Sequence, residues 1–482
     1  MIFNSLSYIL LLIIVVPMYW MLPYRSRLFL IFFSSLLFYG FWRIDFIPLL
    51  MSSVLVDYLV AIKIHSSVGK ARKKYLFVSL FFNLGLLIYF KYLIFFSETA
   101  VGFANLLGFG IDPIMLNIIL PIGISFYTFQ TISYTVDVYR GYIAPEKDII
   151  LYSCYVTFFP QLVAGPVLRF KEVAHQFLHR ETLKWENVAT GLKRIIFGLF
   201  LKVVLADNIA PLVDAGFEIP VENMSAIDVW TLAFLFGFQI YFDFSAYSHI
   251  AIGSAKLIGV HFPENFNFPY FSKSPKDFWK RWHISLSSWI RDYLYLPLAK
   301  KHVHDKSIGG LSHVTIDSGK NKALFLTWAI MGLWHGASLT FIIWGLYHAL
   351  VILIYRIISP IIFKINENLR PLVGISLTLP IIMLSWVPFR ADSVGMAVEM
   401  WLKVLNPFLY NSIGMRENAY LITALILIGV FLTSIMYEKI ICQLKDDYPK
   451  MYFLGEITLF VILISLVIVF LQPGSQFIYF QF

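Results

Sequence analysis

Two histidines, His335 and His283, stand where a proton could be moved. An imidazole titrates near neutral pH, so it can act as a general base or, against an activated carbonyl, as a nucleophile. His335 lies in Met331-Gly332-Leu333-Trp334-His335-Gly336-Ala337-Ser338, within a stretch, 323–354, that holds no Asp, Glu, Lys or Arg. At 1.5 Å per residue it sits about 18–20 Å into that run, near the middle of a bilayer. An ionisable group at such depth is costly and marks a functional site by default. The alternative is a neutral ring satisfied within helix packing. Gly332 and Gly336 bracket His335 and leave room for a substrate or a second backbone. His348 reads as structural.

His283 belongs to a second constellation, running from Asp277 to Pro297. Trp282, Leu286, Trp289, Tyr293 and Leu296 recur at helical spacing, which predicts one helix, started by Pro275 and ended by Pro297. Asp277, Arg281, Arg291 and Asp292 are too many charges for a lipid-facing span. The segment is therefore expected at the cytoplasmic interface or dipping into a polar cavity. Asp243, beside Ser245, is a weaker candidate. Asp57, Lys91 and Lys202 also interrupt apolar runs, and are expected to snorkel or to pair within the protein. Cys154 and Cys442 stand alone, which excludes a disulfide framework or a Cys-rich metal site. No Walker A, GxGxxG, HExxH or GxSxG pattern is present, and no metal is expected.

The elements that must carry these residues are set by composition. Of 482 residues, 59% are hydrophobic and 14% charged, against roughly 45–50% and 25% in soluble domains. A soluble core cannot hide so much apolar surface. The chain reads as all-α, a single polytopic membrane domain over 1–482. Candidate spans fall at 5–22, 28–43, 46–62, 75–96, 114–136, 188–206, 229–254, 323–341, 342–358, 371–388, 419–437 and 455–471, each near the roughly 20 residues of a crossing. About 11–12 transmembrane helices are expected, with re-entrant or interfacial helices besides. The N-terminal run lacks a basic start and a cleavage site, and reads as a retained span.

The net charge of +9 reads as the positive bias of cytoplasmic loops, not as a nucleic-acid surface. Lys63, Lys70, Arg72, Lys73 and Lys74 place one loop inside. Residues 97–113 and Asp207 to Asp228 have no Lys or Arg and fall outside. The basic segment Lys273 to Lys322 falls inside. Residues 149–168 break the alternation: a crossing there would export Arg169, Lys171, Arg180 and Lys184. That stretch is therefore expected to re-enter and return, which needs a protein-lined cavity around it.

These segments resemble the membrane-bound O-acyltransferase (MBOAT) family, in its bacterial alginate O-acetyltransferase AlgI-like branch. The matching stretches are Pro121 to Gln130, Phe159 to Pro166, Asp243-Phe244-Ser245, Trp279 to Pro297, Leu333-Trp334-His335-Gly336 and the closing Phe477 to Phe482. The resemblance spans nearly the whole chain and implies the MBOAT fold, with funnels from both membrane faces meeting near the invariant histidine. It implies His335 and His283 as catalytic residues. Trp334, Trp279, Arg281, Trp282 and Asp243 become candidate substrate-binding residues. The acyl donor would be cytoplasmic acetyl-CoA, with no bound cofactor, and the acceptor an extracytoplasmic polysaccharide (alginate-like, another exopolysaccharide or peptidoglycan). A periplasmic acetyltransferase partner and the bacterial inner membrane are expected with it. The rival readings are a D-alanyl transferase of the teichoic-acid type fed by a carrier protein, a transporter with a histidine relay, and a scaffold.

Overall fold

Backbone in lipid must satisfy its own hydrogen bonds, and every regular element among the described residues is helical. The computed structural model describes residues 1–112, 118–163, 165–178, 182–300, 318–436, 446–472 and 477–478. Cys442, Arg180, residues 479–482 of the closing motif and most of the 298–322 connection lie outside them.

The chain opens with α1 (Leu6–Met21), α2 (Tyr24–Gly40) and α3 (Ile47–Ser66). Then α4 (Gly69–Leu87) passes through a π turn (Ile88–Tyr92) into α5 (Leu93–Leu106). Next come α6 (Ile124–Arg140), the short α7 (Ile149–Thr157) and α8 (Phe170–Leu178). A second long rod joins α9 (Trp185–Leu199), a π turn (Phe200–Ala206) and α10 (Asp207–Phe217); α11 (Ala226–Leu257) follows. Short helices α12 (Pro275–Arg281) and α13 (Ile284–Ile290) lead through a third π turn (Arg291–Tyr295) to α14 (Leu296–Leu298). The chain continues with α15 (Ser318–His335), α16 (Leu339–Ile362), α17 (Arg370–Arg390), α18 (Val394–Leu405), α19 (Glu417–Met436) and α20 (Pro449–Phe470). Seven of the described helical stretches are long and apolar enough to cross a membrane, and α1 and Glu417–Thr433 are shorter apolar helices.

The core gathers around α11, whose central window is 78% buried. Ser225 caps it by accepting the Asp228 amide, and Asp228 returns the bond to the Ser225 amide at 2.7 Å. Helix α9 crosses α11 backbone to backbone: a Cβ on Gly191 would meet the Gly253 carbonyl oxygen at 2.8 Å, and one on Gly253 the Gly191 oxygen at 2.6 Å. The charges within apolar runs pair inside the protein. Asp57 accepts from Ser79, from Asn83 at 2.7 Å and from Thr135 at 3.2 Å, tying α3 to α4 and α6. Lys202 pairs with Asp243 at 2.5 Å and Asp207 at 2.9 Å.

The basic loops meet at one end. Arg72 donates to the carbonyls of Val138 and Tyr139 at 3.1 and 2.7 Å, and Arg169 pairs with Asp292 at 2.6 Å. The stretch from Ile149 leaves this end and comes back to it: Phe170 packs on Tyr134 at 5.0 Å and on Tyr152 at 6.3 Å between ring centroids. The chain thus returns to the end it left.

Three expectations change. Within the run 114–136, residues 118–123 are not helical and α6 starts at Ile124; it is then buried along almost its whole length, enclosed by protein. The boundary between the runs 323–341 and 342–358 moves forward: α15 stops at His335, and Ser338 caps α16 through the Thr340 amide. The Phe341 ring fills the space a side chain at Gly336 would need. The single helix expected over 275–297 is broken at Trp282 and His283. His283 takes a left-handed conformation, φ 42°, while the Asn265 carbonyl receives the Ile284 amide at 2.9 Å and the Arg281 carbonyl receives the Asn267 amide at 2.9 Å. The neighbouring segment thus supplies the partners that helix continuity would have supplied.

Candidate active site

His335 is the last residue of α15 and only 6% exposed. Its ring stands edge-on to Trp344 at 4.8 Å and beside Trp334 and Phe389 at 4.9 and 5.3 Å. The carbonyls of that last turn are held from the π turn of the first rod. Lys91 Nζ donates to the Trp334 and His335 oxygens at 2.6 and 3.1 Å, and the Tyr92 hydroxyl donates to the Leu333 oxygen at 3.0 Å. Gly332 does not open space for a substrate, because the backbone of α16 lies against it.

A cavity of about 110 Å³ reaches His335 and Trp334, walled by Lys91, residues 120–126 and Val163. Two of the stretches singled out in the sequence meet in this wall. Gly123 has φ +76°, and a Cβ there would lie 2.5 Å from the Leu162 carbonyl oxygen. A side chain at Gly123 would therefore push the re-entrant segment away from α6.

His283 approaches from the basic end. Its Nδ1 is 3.1 Å from Asn265 Oδ1, which also accepts the Ser285 amide at 3.2 Å and the Ser285 hydroxyl at 2.8 Å. The amide of Ser285 can only donate, so the Asn265 atom is an oxygen and His283 Nδ1 must carry the proton. That leaves Nε2 with a lone pair, and it has no hydrogen-bond partner among the described residues. His283, His348 and Lys91 all lie within electrostatic reach of His335.

The other candidates divide. Trp334 stacks on Phe129 at 5.2 Å and lines the cavity. Trp279 packs with Trp328, Trp344 and His348 at 4.7, 5.9 and 4.9 Å. Trp282 packs on Trp386 at 4.9 Å. Arg281 pairs with Asp277 at 3.1 Å, half-buried and away from the cavity wall. Asp243 gives one oxygen to Lys202 and the other to the Ile478 amide at 2.8 Å, so it anchors the chain's last described residues. His348 is fully buried among the tryptophans, with no partner for either ring nitrogen among the described residues. Sequence reasoning missed Asn265 and the pairing of Lys91 with Tyr92. The alternation Asn265-Phe266-Asn267-Phe268 was the one available signal for the first.

A buried imidazole beside a cavity, with a second histidine oriented by an amide, suits proton abstraction from a hydroxyl attacking an acyl group. The sequence profile of the membrane-bound O-acyltransferase family matches residues 145–370, which contain both histidines. The "Probable alginate O-acetylase AlgI" of Azotobacter vinelandii is 38% identical over 392 residues, 81% of this chain and 74% of that protein. A Helicobacter pylori peptidoglycan O-acetyltransferase is 35% identical over 405 residues, 78% of this chain and 73% of that protein. A Bacillus subtilis teichoic acid D-alanyltransferase is 31% identical over 255 residues, covering 50% and 60%. With relatives this similar over most of its length, the chain belongs to the membrane-bound O-acyltransferase family and is a multi-pass membrane O-acyltransferase.

Proposed function

We propose that the chain takes acetyl from acetyl-CoA at the cytoplasmic face and delivers it to a hydroxyl of an extracytoplasmic polysaccharide, through a periplasmic acetyltransferase partner, in the bacterial inner membrane. The observation that carries this reading is His335 itself, buried at the end of α15 against a cavity walled by the start of α6 and the returning stretch. His335 takes the proton of the acceptor hydroxyl as its oxygen attacks the thioester carbonyl. The C–O bond forms, the C–S bond breaks, and the proton leaves with the CoA thiol. His283 Nε2 assists from the donor side by receiving or returning that proton. The likeness to proteins named for alginate and for peptidoglycan acetylation supports acetyl and a cell-envelope acceptor.

Transfer of radiolabelled acetyl from acetyl-CoA in proteoliposomes, by wild type and by an inserted His335→Ala variant, tests this. Signal in the first and none in the second supports it. The second reading, D-alanyl transfer from a carrier protein, is favoured by the likeness to the Bacillus subtilis protein. Activity with a charged phosphopantetheine carrier and none with acetyl-CoA would establish that reading instead.

A further inference from the structure

A helix that ends inside a protein leaves its last four carbonyls without amides from the following turn. For α15 these are the carbonyls of Gly332, Leu333, Trp334 and His335. The Gly336 amide reaches the Gly332 oxygen at 3.4 Å, and the chain then turns away toward Ser338. The remaining three carbonyls are met by two consecutive residues of one π turn: Tyr92 takes Leu333, and Lys91 takes Trp334 and His335. The Lys91 ammonium also lies 5.9 Å from the Trp334 ring centroid. A cation at a helix C-terminus is attracted by the partial negative charge gathered there. No carboxylate pairs with Lys91 among the described residues, so the end of α15 is its counter-charge. Helix α15 has no continuation to steady it, since Gly336 and Ala337 follow outside any helix.

We propose that Lys91, seconded by Tyr92, is a positioning residue for acyl transfer: it pins the last turn of α15 so that the His335 ring keeps its place at the cavity. The inference rests on the role given to His335 above. Lys91 exerts its effect through the backbone of Trp334 and His335, and so governs turnover more than donor binding.

The test uses the full chain in detergent and in proteoliposomes, with Lys91→Met, Lys91→Arg and Tyr92→Phe variants. Hydrogen–deuterium exchange of peptides covering 331–340 is read beside acetyl transfer. In K91M, which loses two charge-assisted hydrogen bonds, exchange there should rise about 100-fold or more. Its kcat should fall about 100-fold, as for a base displaced by an ångström, with the KM for acetyl-CoA unchanged. K91R keeps both donors and the charge, and should restore both readouts to near wild type. Y92F loses one bond and should move exchange the same way by a smaller factor; it stands in if K91M fails to insert. Unchanged exchange in K91M, or faster exchange with kcat intact, overturns the proposal, as does a raised KM alone. If the wild type transfers no acetyl, the acetyl reading fails, and the exchange data still decide whether Lys91 holds α15.

Discussion

Gly332 of α15 and Gly345 of α16 lie backbone to backbone. A Cβ on Gly332 would stand 2.1 Å from the Phe341 oxygen and 3.3 Å from the Gly345 nitrogen; one on Gly345 would stand 2.1 Å from the Trp328 oxygen and 3.3 Å from the Gly332 nitrogen. The hairpin that presents His335 therefore has no side-chain layer at its crossing. Gly332→Ala and Gly345→Ala should each cost about 1–3 kcal/mol, the range for overpacking, and sharply reduce acyl transfer. Gly429→Ala, in α19 with nothing within 4 Å, should be neutral or slightly stabilising. Thermal unfolding in detergent reads all three, and equal melting temperatures would contradict the close crossing.

The orientation of His283 rests on Asn265. His335→Ala should lower acyl transfer by about 10²–10⁴, the span of a general base. Asn265→Ala frees the His283 Nδ1 proton and should lower kcat about tenfold or more, the cost found when such an orienting partner is lost. Asn265→Asp keeps an acceptor for that proton and should retain more activity than the alanine variant. Steady-state kinetics on purified, inserted variants checks the order; an alanine variant as active as the aspartate one would remove Asn265 from the mechanism.

Much of this arrangement was legible in the residues. Run length and charge gave the helical class, the gathering of basic residues at one end and the return of the chain over 149–168, because lipid leaves few alternatives. His335 stood out for the same reason. The break at Trp282 and His283 was hidden: local spacing there favours a continuous helix, and the residues that interrupt it, Asn265 and Asn267, come from an earlier loop. Lys91 was visible as an odd charge, but its counter-group is the end of a helix over 240 residues away. Backbone partners of that kind leave no trace in composition.

The buried pair Lys202–Asp243 ties α11 to the Ile478 amide. Lys202→Met alone should destabilise by about 3–5 kcal/mol, because it strands the buried Asp243 carboxylate, and Asp243→Asn should cost less, because Lys202 keeps Asp207 at 2.9 Å. The double variant should recover part of that loss. Limited proteolysis beside unfolding in detergent would follow the release of the chain end. Strictly additive losses would mean that the two charges do not depend on each other.

The return of the re-entrant stretch predicts a labelling pattern. In a cysteine-free background, Lys147→Cys and Lys171→Cys should react with a membrane-impermeant maleimide only from the cytoplasmic side. Glu218→Cys should react only from the opposite side. Labelling of positions 147 and 171 from different faces would make the stretch a crossing.

Each of the three π turns among the described residues carries a charged residue that is engaged inward: Lys91 on the end of α15, Lys202 on Asp243, Asp292 on Arg169. A π turn holds one residue more than the α-helical ladder requires, and such an insertion can in principle migrate along a helix. Each step would swing the intervening side chain by about 100°. In the two long rods a step would drag the Lys91 or Lys202 ammonium off its counter-group. The charges thus serve as register pins, fixing which face each long rod turns to the centre of the protein and so preserving the alignment of its two halves.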